Sequence, residues 1–305
     1  MIHLVKHAEL DTEKWDDCIK KDANKLFYGL SWYLDILVKE WDALVWNDYE
    51  AVFPLISNKK FGINYVHRPY GVQQLGVFSK VDLSPELMRE FVLAIPKNIK
   101  FVDVFLNTKN PTSLLNPKQL FVNKNYEINL NQTYQSIYEG YSKQTVRNLK
   151  KAKKHKHRIF EHDGPDQIIA LFKNNKGKRI STLSEENYAT MKQVMHVLLH
   201  KHRGYIWTIY DEHNTIIAGA FFVEMFGRIT MLFSATDDVG REQQAMTYLL
   251  DELFIARATD QIIFDFEGSN IKNLATFYAG FGGQEVIYQN LKINNLPGPL
   301  KWLKG

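Results

Sequence analysis

Gln261-Ile-Ile-Phe-Asp-Phe-Glu-Gly-Ser-Asn270 is the stretch on which the reading of this chain turns. Period-two alternation places Ile262, Phe264 and Phe266 on one face of a strand, and Ile263, Asp265 and Glu267 on the other. Two carboxylates then point the same way, about 7 Å apart, at the carboxyl end of the strand. In open α/β sheets that end faces the ligand crevice. Gly268-Ser269-Asn270 opens a helix whose first N–H groups are free to hold an anion or an acyl oxygen. The same residues also fit a plainer description, ion-paired carboxylates followed by a Ser/Asn cap.

Working outward, a helix over Ile271–Ala279 and a strand over Glu285–Ile293 follow. Upstream, Glu242–Ala258 reads as helix. Strands are expected at Tyr205–Tyr210, Ile216–Glu224 and Arg228–Phe233. A helix from Ser184 to His202 precedes them. Gln132 to about Lys156 is helical, with a break at Gly140-Tyr141-Ser142.

The first half repeats this order. Helices at Trp15–Lys20 and Ser31–Trp41, the second capped by Ser31, lead to strands Ala43–Trp46, Glu50–Ile56 and Ile63–Arg68. The last two are joined by a turn over Asn58–Gly62. Ser84 and Pro85 open a helix to Ile95, and Phe101–Leu106 is a strand. Trp46, an apolar strand and Phe61-Gly62 in the first half match Trp207, an apolar strand and Phe226-Gly227 in the second. This reads as one α/β domain used twice, over residues 1–125 and 126–305.

The chain has 305 residues, 45% apolar and 24% charged. That mixture excludes disordered, collagen-like and disulfide-scaffold classes. One cysteine, Cys18, excludes an internal disulfide and a cysteine-rich metal site. No apolar run is long enough to be a leader or an integral membrane segment, so a cytoplasmic protein is expected.

Several chemistries are poorly served. His196 and His200 have the spacing of helical zinc ligands but lack an adjacent general-base Glu, so no metal is expected. No Gly-x-Ser-x-Gly elbow, Gly-x-Gly-x-x-Gly or Walker loop occurs. Carboxylates beside Cys18 oppose a reactive thiol.

Net charge is only +4, but its distribution is uneven. Lys143 to Arg158 holds eight lysines and arginines and no acid. Arg147, Lys151, Lys154 and Arg158 follow i, i+4, i+7, i+11 and share a helix face. A solvated face, an anion site for a phosphorylated substrate or tRNA, and attraction to a membrane surface are all open readings. In the first half, Arg68, Tyr70, Gln73 and Gln74 form a dense polar and aromatic segment, either a groove lining or a plain sheet edge.

Ile271 to Gly282 resembles the last α/β motif of the GCN5-related N-acetyltransferase (GNAT) superfamily, with Asn273, Ala275, Phe277, Tyr278 and Gly282 in the matching positions. Ser234 to Tyr248 is similar to the superfamily's phosphate loop only at Gly240, Arg241 and Ala245. Asp237 and Asp238 stand where phosphates would be repelled. This departure, the duplication and the basic helix together resemble the FemABX type of tandem-GNAT protein, in bacteria-type chemistry that moves amino acids from aminoacyl-tRNA onto peptidoglycan precursors.

The resemblance implies two GNAT-like domains, each a mixed twisted sheet flanked by helices, with the basic helix at 142–158 in the second. It implies transfer of an acyl or aminoacyl group to an amine, from acyl-CoA or aminoacyl-tRNA. The acceptor would be a small molecule or a peptidoglycan-precursor-like substrate. Glu267 or Asp265 would take the amine proton, and Tyr278 would donate to the leaving group. Ser234, Ser269, Asn270, Asn273, Lys143, Arg147, Arg68, Tyr70 and Gln74 would bind substrate. The alternative is a non-catalytic GNAT-fold module that binds nucleic acid or anionic lipid through the basic helix.

Overall fold

The computed structural model describes residues 1–180 and 183–298. The first part of the chain forms β1 (Ile2–Val5), α1 (Thr12–Lys21), α2 (Ser31–Leu37), β2 (Asp42–Trp46), β3 (Ala51–Leu55), β4 (Ser57–Lys60), β5 (Ile63–His67), β6 (Phe78–Ser79), α3 (Pro85–Leu93) and β7 (Ile99–Phe105). Next come β8 (Leu120–Asn129), α4 (Tyr134–Glu139), α5 (Lys143–Ala152), β9 (Arg158–Phe160), α6 (Pro165–Asn174) and α7 (Glu185–His200). The last are β10 (Gly204–Tyr210), β11 (Ile216–Met225), β12 (Arg228–Thr236), α8 (Asp238–Glu242), α9 (Ala245–Arg257), β13 (Ile263–Asp265), α10 (Lys272–Ala279) and β14 (Gln284–Asn294).

Among the described residues two compact units result: 1–123 with 287–298, and the rest of 124–286. Residues 287–298, read from sequence as part of the second domain, group with the first. The reason is register: Asn290 to Asn294 of β14 pair antiparallel with Phe105 to Phe101 of β7. The first unit holds a sheet of order β1-β2-β3-β6 and strands in the order β4-β5-β7-β14. In the second unit the order is β8-β13-β12-β11-β10-β9. Only β12 and β13 run parallel there; the other neighbours are antiparallel.

The expected face of β13 is realised. Ile262, Phe264 and Phe266 are buried in a core with Phe222, Leu249, Leu253 and Phe254. Phe254 meets Phe264 edge-on, with centroids 5.0 Å apart. Such rings bury large apolar area and gain further from edge-to-face geometry.

The repeat is visible in the hairpins. Phe61-Gly62 has φ of 51° and 77°, and Phe226-Gly227 has 56° and 72°. Each pair links one strand directly to the next, between Lys60 and Ile63 and between Met225 and Arg228. Left-handed φ at both loop residues is the type I′ turn that suits the twist of paired strands.

Several boundaries differ from the sequence reading. Asn58–Gly62 is not all turn; Ser57–Lys60 is β4, and only Phe61-Gly62 turns the chain. Ser31 is inside α2 rather than its cap. The stretch over 132–156 breaks into two helices at Gly140-Tyr141-Ser142 as expected, but the second ends at Ala152 rather than near Lys156. Thr133 caps α4, and Ser142 caps α5 by accepting from the Thr145 N–H at 3.1 Å. The Ser142 N–H is tied to the Gly280 carbonyl at 2.8 Å. A side chain on Gly280 would lie 2.6 Å from Thr145 Oγ1, so glycine permits this approach. Because α5 ends at Ala152 and Arg158 begins β9, Arg158 does not extend the cationic helix face. The helix over 242–258 is broken by Gln244, whose φ is 59°.

Candidate functional site

The site starts from register. Asp265 of β13 pairs with Glu127 on β8 and with Thr230 on β12. Asp265 is 2% exposed. A buried charge needs partners, and it has them. Arg228 Nη1 donates to Asp265 Oδ2 at 2.9 Å and to Glu127 Oε1 at 2.7 Å. Asn125 Nδ2 donates to Asp265 Oδ1 at 2.9 Å. The Glu267 N–H donates to the same Oδ1 at 2.8 Å. Burial raises the Glu127 carboxyl above its ordinary value, with the Arg228 charge opposing. Asn125, Glu127 and Arg228 were not singled out from sequence. Only the strand pairing brings them to Asp265, so no local signal could have found them.

Glu267 is not on the strand face expected for it. β13 ends at Asp265, and Glu267 and Gly268 both take left-handed φ, 58° and 49°. The chain turns tightly against β8. A Cβ at Gly268 would lie 2.3 Å from the Lys124 carbonyl oxygen. Asn270 Oδ1 accepts from the Lys124 N–H at 3.1 Å, and Ser269 Oγ accepts from the Ile271 N–H at 2.9 Å. Ser269 and Asn270 therefore secure the turn through protein contacts. Asn273 lies exposed on the first turns of α10.

Tyr278, on α10, stacks on Phe266 with centroids 4.8 Å apart at 26°. Burial raises its phenol well above the ordinary value, and the nearby Glu267 charge adds to this. Its hydroxyl makes no hydrogen bond among the described residues. A protonated, uncommitted phenol thus stands near a half-buried carboxylate.

Beside this turn the sheet opens. β12 and β13 pair only from Arg228 to Thr230, whereas β12 continues to Thr236. The register of β12 against β11 also slips between Phe221 and Phe222, leaving Leu232 as an extra, bulged residue. Bulges of this kind re-aim backbone groups and side chains. Ser234, half-buried, lies on this open stretch of β12.

Lys143 and Arg147 are exposed on α5. Arg147 Nη2 donates to Gln144 Oε1 at 2.8 Å. The amino end of α5 abuts Gly280, two residues beyond Tyr278. The helix is anchored from below. Asp251, fully buried on α9, accepts from Tyr134 and Tyr141 at 2.8 and 3.1 Å, and Lys153 Nζ lies 3.1 Å from it.

The residues expected from the first half belong to the other unit. The Arg68 guanidinium lies 4.0 Å from the centre of the Phe105 ring and donates to the Gln73 carbonyl at 3.3 Å. Gln74 donates to Gln73 Oε1 at 2.9 Å while its own Oε1 is buried without a partner. Tyr70 is half-buried. Asp103 and Asn290, which sequence reading passed over, also bury an unpartnered oxygen in this unit.

The loop at 234–248, which stands in the position of the superfamily's phosphate loop, does not fit a pyrophosphate. Asp237 Oδ1 accepts from the Gly240 N–H at 2.6 Å, occupying a donor the phosphate would need. Arg241 is spent on the Thr236 carbonyl and on Asp238. Two carboxylates remain at the mouth, where a pyrophosphate would be repelled. Among the described residues no group of three or more His, Cys, Asp or Glu is placed to hold a metal ion, and no helix is long and apolar enough to cross a membrane.

No protein-family profile matches the chain, and no curated protein sequence matches it. Solved structures do. A structure described as FemX is similar over 99% of this chain and 99% of its own, at 11% identity and a TM-score of 0.66. L-PGS from Bacillus licheniformis matches 96% of this chain and 95% of its own, at 12% identity and a TM-score of 0.56. A tandem GNAT protein from the clavulanic acid biosynthesis pathway matches 97% and 100%, at 9% identity and a TM-score of 0.54. The chain therefore has the tandem GNAT fold, in the form FemX shows.

Proposed function

We propose that the protein transfers an acyl or aminoacyl group to an amine, at the opening between β12 and the Glu267 turn. The observation that carries this reading is the pairing of Glu267 with Tyr278: a carboxylate on a left-handed turn beside a buried phenol that stays protonated. The likeness to FemX, L-PGS and a tandem GNAT protein supports it.

The donor carbonyl lies along β12 near Leu232 to Ser234, its developing oxyanion accepting from backbone N–H groups. The amine attacks this carbonyl and a C–N bond forms. Glu267 takes the amine proton, directly or through water. As the tetrahedral intermediate collapses, the bond to the leaving oxygen breaks and Tyr278 gives that oxygen its proton. Asp265 is not the base in this scheme; Arg228 and Asn125 hold it, and it fixes the Glu267 N–H.

An ester-type donor such as aminoacyl-tRNA suits the loop chemistry better than acyl-CoA. Lys143 and Arg147 on α5 offer positive charge to a phosphodiester backbone or a phosphorylated acceptor of peptidoglycan-precursor type. A donor that binds the folded state raises its melting temperature by mass action. Thermal shift with acetyl-CoA, an aminoacyl-tRNA mimic and a UDP-linked muropeptide tests this. Stabilisation by the second and third is expected; stabilisation by acetyl-CoA alone overturns the donor assignment.

The misfit of the phosphate loop also favours a second reading, a non-catalytic module that binds nucleic acid or anionic lipid through α5. Strong, salt-dependent tRNA or vesicle binding without any transfer distinguishes it.

A further inference from the structure

We propose that the β4–β5 hairpin is a membrane-surface anchor, with Phe61 entering the interface of an anionic bilayer. The proposal is independent of any transferase activity and of the basic helix α5. Its first support is an internal comparison. The two type I′ hairpins carry the same Phe-Gly pair in the same conformation, yet Phe226 is half-buried and Phe61 is 91% exposed. A phenylalanine in left-handed backbone at a bare tip contributes nothing to packing, and Asn or Gly would suit the turn better.

Charge is the second support. Lys59 and Lys60 flank the tip, and all four residues of β4 are exposed. Lys60 Nζ lies 5.6 Å from the centre of the Phe61 ring. Register places more cations at the same end of the sheet. Lys59 pairs with Asn64, and Asn64 pairs with Ile99, so the tip projects beside the Lys97-Asn98 turn. Lys100 is exposed just beyond and donates to the Lys97 carbonyl at 3.0 Å. Leu93, 71% exposed, ends α3 just before that turn.

The four lysines make no ion pair among the described residues. No Asp or Glu occurs from Ile56 to Val81 or from Phe91 to Val102. An aromatic tip ringed by unpaired lysines matches an anionic lipid surface, where basic residues meet the headgroups and the ring sits at the acyl boundary.

Co-sedimentation with vesicles tests this. Wild type should bind vesicles of equal phosphatidylglycerol and phosphatidylcholine, less at high salt, and not bind pure phosphatidylcholine. Phe61→Asn keeps a residue suited to the turn and should weaken binding about tenfold. Lys59→Ser with Lys60→Ser should weaken it as well and flatten the salt dependence. The proposal is overturned by absence of binding to the anionic vesicles, or by Phe61→Asn binding like wild type. It is equally overturned if only Lys150→Ser with Lys151→Ser, on α5, abolishes binding.

Discussion

Glu267 holds a backbone conformation that costs roughly 1 kcal/mol or more for a residue with a Cβ. Strained positions persist where the surroundings over-determine them, and here Asp265 and the Lys124 carbonyl do so. In the proposed reaction Glu267 is the base and Asp265 holds its backbone N–H. Replacing Asp265 by Ala strands three donors it accepts from, on Arg228, Asn125 and the Glu267 N–H, and should cost about 3 kcal/mol of stability in denaturant unfolding. A loss under 1 kcal/mol would contradict the pairing.

Tyr278 makes a pH prediction. Its raised phenol means the fold favours the protonated form. Its contribution is complete below the ordinary tyrosine value near 10 and is lost as pH rises through the raised value. A difference titration of wild type against Tyr278→Phe should therefore show no phenolate step near pH 10. Cys18 behaves alike: burial pushes its thiol up to about 12, so thiol reagents at pH 8 should label it only after unfolding.

Among the elements, the turn after β13 is where glycine is indispensable. Gly268→Ala combines a left-handed φ with a Cβ 2.3 Å from a carbonyl oxygen. It should destabilise the protein by about 2 kcal/mol, measured by urea unfolding. Much of this region was legible in sequence: the alternation of β13, its buried face and the helix after Asn270 all follow from period, although Ile271 and not Ser269 or Asn270 is the helix cap. The fate of Glu267 was not. Alternation says nothing about where a strand stops, and β13 stops at Asp265, just before Glu267 and Gly268 take positive φ. The basic stretch misled for a similar reason. Its division at Gly140-Tyr141-Ser142 was legible, but its end was not: α5 stops at Ala152, and β9 claims Arg158. Asp251 ties down what remains. Asp251→Ala, which strands two tyrosine hydroxyls, should cost about 2 kcal/mol.

Across the molecule, the repeat was legible because a turn type is local chemistry: Phe-Gly twice, with the same two positive φ values. The division into units was harder to see. β14 follows α10 closely in sequence, yet its Asn290 to Asn294 end pairs with β7, and a strand's partner is not written in its own residues. The site at the Glu267 turn and the tandem GNAT fold together make group transfer the central claim. The direct test is the single-turnover rate of aminoacyl transfer from an aminoacyl-tRNA to an amine acceptor, compared among wild type, Glu267→Gln and Tyr278→Phe. A loss of about 10²- to 10⁴-fold in each variant, with the fold intact, is the predicted result. Near-wild-type rates in both would contradict it.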